Sequence, residues 1–469
     1  MRAVGAVSDL LALYDEGQFQ QVVDRFESLQ SRIANQGINA ATTLQLAAHA
    51  YSRVGNFSAS AEAFLSAAAK FVSAMSPQAS LCVRNAFAAL QRLSLPAAAE
   101  WVALRSFSLP RECGGDPELL RHAAGAALQR NDPGAATCII AAASAYSATR
   151  AVALETLLDM ALRPAKYGAT DAPAGQANTH VDACEPKLSV ILCSHNDERY
   201  AKFVAECERA LGSSHFEIIR VADAKSMCEG YNRGTDAATG DLLLYCHDDI
   251  EFITDGVHRA LISALADFDV ACCVGSSVVD GPTWMCHDVT RSQGWVAAVD
   301  ASSGLYSIAI IGVPNPQYLL AAGDGCFIAC RKAAAQLLRW DEATFDSFHL
   351  YDIDFCLRAR DRGLRLGVTR AVMINHWSKG SFDAVWHEQA ERFLRKHSMP
   401  PGPQVMNQWI SVHVGSRAEA ARVAHNLMHM QRVDFQQRLK ELQDRSFEAA
   451  CSEFPAIAGL QSSALTRLQ

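Results

Sequence analysis

Between Leu188 and Cys246 three apolar runs alternate with amphipathic stretches, and each run ends in a cluster of polar residues. Leu188-Ser189-Val190-Ile191-Leu192-Cys193 reads as a buried strand, Tyr200 to Leu211 as a helix, Phe216 to Val221 as a strand, Met227 to Thr239 as a helix and Asp241 to Cys246 as a third strand. Strands joined by helices pair in parallel, because a crossover must carry the chain back to the starting edge. The expected core is therefore an α/β domain with a mostly parallel sheet covered on both faces. In such sheets ligands bind at the carboxyl ends of the strands. Those ends carry Ser194-His195-Asn196, Ala222-Asp223-Ala224-Lys225 and His247-Asp248-Asp249.

A chain of 469 residues is long enough for more than one core. Leu10 to Leu162 is rich in Ala and Leu with apolar residues three and four apart, which predicts stacked amphipathic helices. Tyr14, Gly17 and Phe26 recur as Tyr51, Gly55 and Phe64. Fainter copies begin near Leu93 and Asp132, where Ser94-Leu95-Pro96 and Asn131-Asp132-Pro133-Gly134 supply turns. This stretch resembles a tetratricopeptide-like array, and a generic helical platform is the other reading. The expected organisation is a helical domain over 1–163, a linker poor in large apolar residues over 164–186, the α/β domain over 187–400 and a helical extension over 401–469. The last region has apolar residues at helical spacing and would dock on the preceding domain or pair two copies.

Charge narrows the function classes. A net charge of −8 and a pI near 6.0 give no global attraction to nucleic acid or anionic lipid. Fifteen cysteines scattered among apolar runs predict reduced thiols in a cytosolic setting, and Cys326 with Cys330 lacks a second pair at zinc-site spacing. The N-terminus lacks a signal-peptide core, and no apolar run is long enough to span a bilayer, so contact with a membrane is expected only through a partner.

Asp248 and Asp249 at the mouth of a buried strand are costly to desolvate without a cation or hydrogen-bond donors, and hard oxygen ligands suit Mg²⁺ or Mn²⁺. A turn or helix cap is the alternative for the pair taken alone. Asp352 and Asp354 in Tyr351-Asp352-Ile353-Asp354 could cap a helix. Asp324 lies between glycines, as in a tight turn, and His376 precedes the loop containing Lys379 and Gly380. Trp284 and Trp377 are candidates for stacking on a sugar or for core packing.

Taken together, Ser189–Asn196, Asp223, Tyr231-Asn232-Arg233-Gly234, Ala238-Thr239-Gly240-Asp241 and His247-Asp248-Asp249 resemble a glycosyltransferase of the GT-A fold, in the inverting family 2, over about Lys187 to Met399. His247 stands where that family's first motif aspartate would be, and Tyr351 where it has a glutamate before Asp352. The resemblance implies a nucleotide-sugar donor, most simply a UDP-sugar, and a divalent cation, Mn²⁺ or Mg²⁺, on Asp249 and His376. It implies nucleotide contacts from His195, Asp223, Asn232, Arg233, His247, Asp248 and Lys379. Asp352 becomes the general base and Asp354 its structural neighbour, with Asp324 and Trp284 facing the acceptor. That acceptor could be a saccharide, a lipid-linked glycan or a protein, and the helical domain could bind it or a protein partner. A catalytically silent nucleotide-sugar-binding scaffold is the non-enzyme alternative. A nucleotidyltransferase would open with a glycine-rich phosphate loop, which Ser194-His195-Asn196-Asp197-Glu198 is not.

Overall fold

The computed structural model describes residues 2–33, 38–167, 185–212, 215–285, 291–300, 302–315, 318–378, 380, 382–402, 409–430, 435–460 and 463. The chain forms two compact units, one of residues 1–169 with 430–469 and one of 170–429.

The first unit is helical: α1 (Arg2–Asp15), α2 (Phe19–Ile33), α3 (Ile38–Arg53), α4 (Phe57–Ser73), α5 (Gln78–Arg92), α6 (Pro96–Arg105), α7 (Pro117–Gln129), α8 (Pro133–Ala143) and α9 (Ser147–Leu162). Gly17 and Gly55, shared by the first two sequence copies, sit at φ +76° and +82° just past α1 and α3. Each ends its helix as a left-handed turn in which the next N–H bonds a carbonyl five residues back, Gln18 to Leu13 and Asn56 to Tyr51. Ser94 and Asn131 are also left-handed, and Leu95 and Asp132 make the same bond to Leu90 and Ala127. A proline then opens the next helix, where its missing N–H costs nothing. Phe26 and Phe64 are buried, as the spacing predicts.

The segment expected to form one extension over 401–469 is divided between the units. A helix over Phe435–Glu453 lies in the first unit and packs on α6 and α8. Leu95 has no side chain able to cap α6, and the Glu453 carboxylate does so instead, accepting from the N–H groups of Ala97 and Ala98 at 2.8 and 3.0 Å. Gln443 fixes the register, accepting from Arg105 at 2.9 Å and donating to the Leu104 carbonyl at 3.0 Å.

In the second unit β1 (Leu188–Cys193), α10 (Asp197–Leu211), β2 (Phe216–Val221), α11 (Met227–Ala237) and β3 (Leu242–Cys246) follow the expected alternation. Then come β4 (Ile250–Phe252), α12 (Val257–Asp267), β5 (Val270–Cys272), β6 (Val274–Ser276), β7 (Ser292–Val299), β8 (Tyr306–Gly312), β9 (Ala322–Gly323) and β10 (Phe327–Arg331). The unit finishes with α13 (Lys332–Leu338), α14 (Tyr351–Asp361), β11 (Leu366–Val368), β12 (Ile374–His376), α15 (Ala384–His397), β13 (Ile410–Val414) and α16 (Arg417–Met430). The Phe435–Glu453 helix is α17.

The central sheet has the order β11-β5-β10-β3-β1-β2. It is mostly parallel, as expected, and is made mixed by one strand, β10, which runs antiparallel to both β3 and β5. The chain leaves β5 at its carboxyl end, builds part of a second sheet from β6 to β9, and re-enters at that same end without a crossover helix, which forces the reversed direction. The second sheet has β13-β8-β7-β12-β4 as its path, with β6 and β9 joined at β7.

Part of the sequence signature proves to be architectural. Gly234 brings α11 onto β1, since a Cβ there would stand 2.2 Å from Ile191 Cγ2. Gly240 lies at the opposite end of the strands from the polar clusters, where its N–H donates to Ser189 Oγ at 2.9 Å. No described helix is long and apolar enough to cross a membrane. We predict that Gly234→Ala destabilises the protein by about 1–3 kcal/mol through overpacking. Gly125→Ala, in α7 with open space around the new methyl, is neutral or stabilising by roughly 0.5–1 kcal/mol. Equilibrium urea unfolding of the two variants checks the contrast, and equal stabilities contradict the packing account.

Candidate functional site

Three chain reversals assemble the site at the carboxyl ends of β1 and β3. First, β3 pairs with β10 so that Cys246 faces Phe327, which sets the turn Asp324-Gly325-Cys326 beside His247. Asp324 Oδ1 accepts from the Cys326 N–H at 2.9 Å and closes that turn. Second, β4 pairs antiparallel with β12, opposing Ile250 to His376. This register brings His376 Nε2 to 3.4 Å from Asp249 Oδ1, while the Trp377 N–H donates to the Asp249 carbonyl at 3.1 Å. Third, Leu350 is held at φ +61°, a conformation bulky residues rarely adopt, and is buried in the core. Helix α14 starts from it with Tyr351 and Asp352 turned toward the strand ends, where Asp352 Oδ2 accepts from the Gly325 N–H at 2.9 Å.

His247 lies at the centre. Its Nδ1 is 3.3 Å from His376 Nε2 and 3.9 Å from Asp249 Oδ1, and its Nε2 is 2.7 Å from the Tyr351 hydroxyl. One ligand atom from each of His247, Asp249 and His376 can be chosen so that all lie within 4.8 Å of one another. Two imidazole nitrogens and a carboxylate are a donor set that divalent first-row cations accept. The residues present therefore fit a bound cation, with His247 added to the expected pair.

The electrostatics are graded across the cluster. Burial alone would raise the Asp249 carboxyl, but the hydrogen bond and charge of His376, with His247, hold it well below the usual carboxylate range. Burial would lower His376, yet its bond to Asp249 and the charge of Asp324 raise it. His247 is lowered by burial and then by the charge of His376. Asp324 is lowered despite burial, chiefly by His376. Asp352, half-buried, is pushed up to about 7 by desolvation and by the negative charge of Asp324. Two neighbouring carboxyls are thus driven apart in acidity, as acid–base sites require.

The two aspartates of α14 have separate surroundings. Asp354 is buried and receives Arg358 Nε at 2.7 Å, His397 Nε2 at 2.9 Å and Lys396 Nζ at 2.5 Å. That arrangement ties α14 to α15 and holds its carboxyl low against the effect of burial.

The remaining expected residues are dispersed. Asp248 accepts from Ser194 Oγ at 2.7 Å, linking the ends of β1 and β3, and His195 is exposed nearby. Asp223 and Arg233 pair at 2.7 Å on the surface beyond β2. Asn232, expected at the nucleotide, is buried with both ends of its amide bonded to the Trp340 backbone at 2.9 Å. Trp284, expected at the acceptor, is buried in the core. Lys379 lies outside the described residues. A cleft of about 500 Å³ borders the cluster, lined by Arg199, Lys202, Phe203, Asp248, Asp249 and Trp377 among others, and Trp377 is 54% exposed. Sequence reasoning missed the ligand role open to His247 and the contact of Tyr351 with it, because the partners are brought together only by strand register.

A family model described as a glycosyltransferase-like family matches residues 189–397. No curated protein sequence matches the chain. Among solved structures, that of GalNAc-T7 with UDP, GalNAc and Mn²⁺ aligns at 12% identity and a TM-score of 0.32, over 51% of this chain and 53% of that one. The chain thus spans about half the length of that relative. The mannosyltransferase PcManGT from Pyrobaculum calidifontis, in complex with GDP-Man and Mn²⁺, aligns at 11% identity and a TM-score of 0.30, over 70% and 90%. Residues 189–397, in the unit that holds the mixed α/β sheet, are thus similar to a glycosyltransferase-like family.

Proposed function

We propose that this chain is an inverting GT-A glycosyltransferase of family 2 that moves a sugar from a nucleotide-sugar donor, a UDP-sugar, to an acceptor hydroxyl. The observation that carries the reading is the juxtaposition of the His247, Asp249 and His376 cluster with Asp352, a carboxyl poised near neutral pH. A divalent cation held by those three residues would supply Lewis-acid neutralisation of the departing diphosphate. Imidazole donors favour Mn²⁺ over Mg²⁺, which prefers oxygen. Asp352 accepts the proton of the acceptor hydroxyl as its oxygen attacks the anomeric carbon from the face opposite the nucleotide. Asp324 keeps Asp352 basic through its charge and lies on the acceptor side. Asp248, His195, Asp223 and Arg233 line the nucleotide side, and exposed Trp377 stacks on a sugar ring at the cleft. The acceptor is a saccharide, a lipid-linked glycan or a protein, and the tetratricopeptide-like helical unit recruits it.

A general base must be ionised to accept a proton, so turnover rises as pH increases through about 7, following the raised Asp352. Asp352→Asn lowers kcat by about 10²–10⁴ with donor affinity retained. Its stability effect has the opposite sign to that of a salt bridge. A carboxyl raised in the folded state binds its proton more tightly there than in the unfolded chain, so its ionisation opposes folding as pH rises toward 7. Asp352→Asn therefore melts no lower than the parent at pH 8. Asp354→Asn removes a buried ion-pair partner and costs on the order of 3–5 kcal/mol. Steady-state release of UDP from UDP-sugar, with Mn²⁺ and a saccharide acceptor present, across pH 5–9, together with melts of both variants, tests the assignment. Full turnover in Asp352→Asn, or a profile flat through pH 7, contradicts it.

Asp249→Ala is expected to abolish Mn²⁺-dependent thermal stabilisation by UDP-sugar while the fold persists. Unchanged stabilisation and turnover remove the metal assignment.

A further inference from the structure

The Tyr351 side chain is buried, with ring centroids 5.8 Å from those of Tyr231 and Trp340, and its hydroxyl meets His247 Nε2 at 2.7 Å. Two backbone features place that hydroxyl. The left-handed turn at Leu350 sends the first residue of α14 under the end of β3. Gly325 leaves the space it occupies, since a Cβ at 325 would stand 2.4 Å from Tyr351 Oη and 2.8 Å from Cζ.

An imidazole binds a cation through the lone pair of one nitrogen, and the proton then sits on the other. A fixed acceptor for that proton selects the tautomer and holds the ring in plane with the site. Tyr351 Oη is placed to accept from His247 Nε2, which leaves the Nδ1 lone pair facing Asp249 and His376. We propose that Tyr351 is a positioning residue whose hydroxyl orients His247 as a ligand for a divalent cation. The inference rests on the metal-assisted reading given above, and adds to it that affinity for the cation depends on a hydroxyl outside the ligand set.

The test is Mn²⁺ binding to the full chain, without donor, by calorimetry and by electron paramagnetic resonance. Tyr351→Phe keeps the ring and its packing, and we expect Mn²⁺ affinity to fall about 10–100-fold with the melting temperature nearly unchanged. His247→Ala should weaken binding as well, and Tyr351→Phe in that background should cost nothing further, because the hydroxyl acts only through His247. If the parent binds Mn²⁺, His247→Ala weakens it and Tyr351→Phe binds like the parent, the positioning role is overturned while the metal reading stands. If the parent binds no Mn²⁺, both fall. Should Tyr351→Phe fail to fold, nuclear magnetic resonance of ¹³C,¹⁵N-histidine in the parent decides the matter: His247 protonated at Nε2 supports the proposal, and protonation at Nδ1 overturns it.

Discussion

The antiparallel pairing of β10 with β3 is the contact on which the site depends. It places Asp324 and Gly325 within reach of both His247 and α14, so that one turn contributes a charge beside Asp352 and a backbone donor to it. With β10 parallel, that turn would lie at the far end of the sheet. The pairing follows from the excursion that forms β6 to β9, which begins and ends at the same edge of the strand ends. The second sheet is thus not an appendage: through β4 and β12 it also supplies His376 opposite Asp249.

The cost of gathering so many ionisable groups is offset by alternation of charge. Asp249 and Asp324 face His376, and burial with the charge of His376 pushes the imidazole of His247 toward its neutral form. Asp352 is left as the carboxyl whose negative charge the surroundings do not offset, and its pKa is raised, as expected of a group that exchanges protons near neutral pH. Asp354, two residues on, is partnered by Arg358, Lys396 and His397 and serves the helix packing. Solvation and charge, rather than position on α14, separate their roles.

The strand and helix alternation from Leu188 to Cys246 is legible because buried strands and amphipathic helices have different apolar periods. The recurrence of Gly17 and Gly55 is likewise legible, and its physical reason, two left-handed helix ends, comes from the structure. The direction of β10 is not, because an apolar strand carries no mark of its orientation. Asp249, His376 and Asp352 can be picked out from motif likeness, but the meeting of His247, His376 and Tyr351 depends on register between segments more than a hundred residues apart. Within the Asn-Arg-Gly element, Asn232 and Gly234 hold α11 against Trp340 and β1, a packing role that motif likeness alone does not reveal. His247 and Tyr351 are the two departures from the family pattern, and they touch each other.

The central claim is that His247, Asp249 and His376 form one cation site at the end of β3. Diffraction from crystals soaked in Mn²⁺, recorded on both sides of the manganese absorption edge, tests it most directly. The account predicts an anomalous peak bounded by His247 Nδ1, Asp249 and His376 Nε2. A peak that engages Asp248 and Asp249 without either imidazole, or the absence of any peak at this cluster, would contradict it.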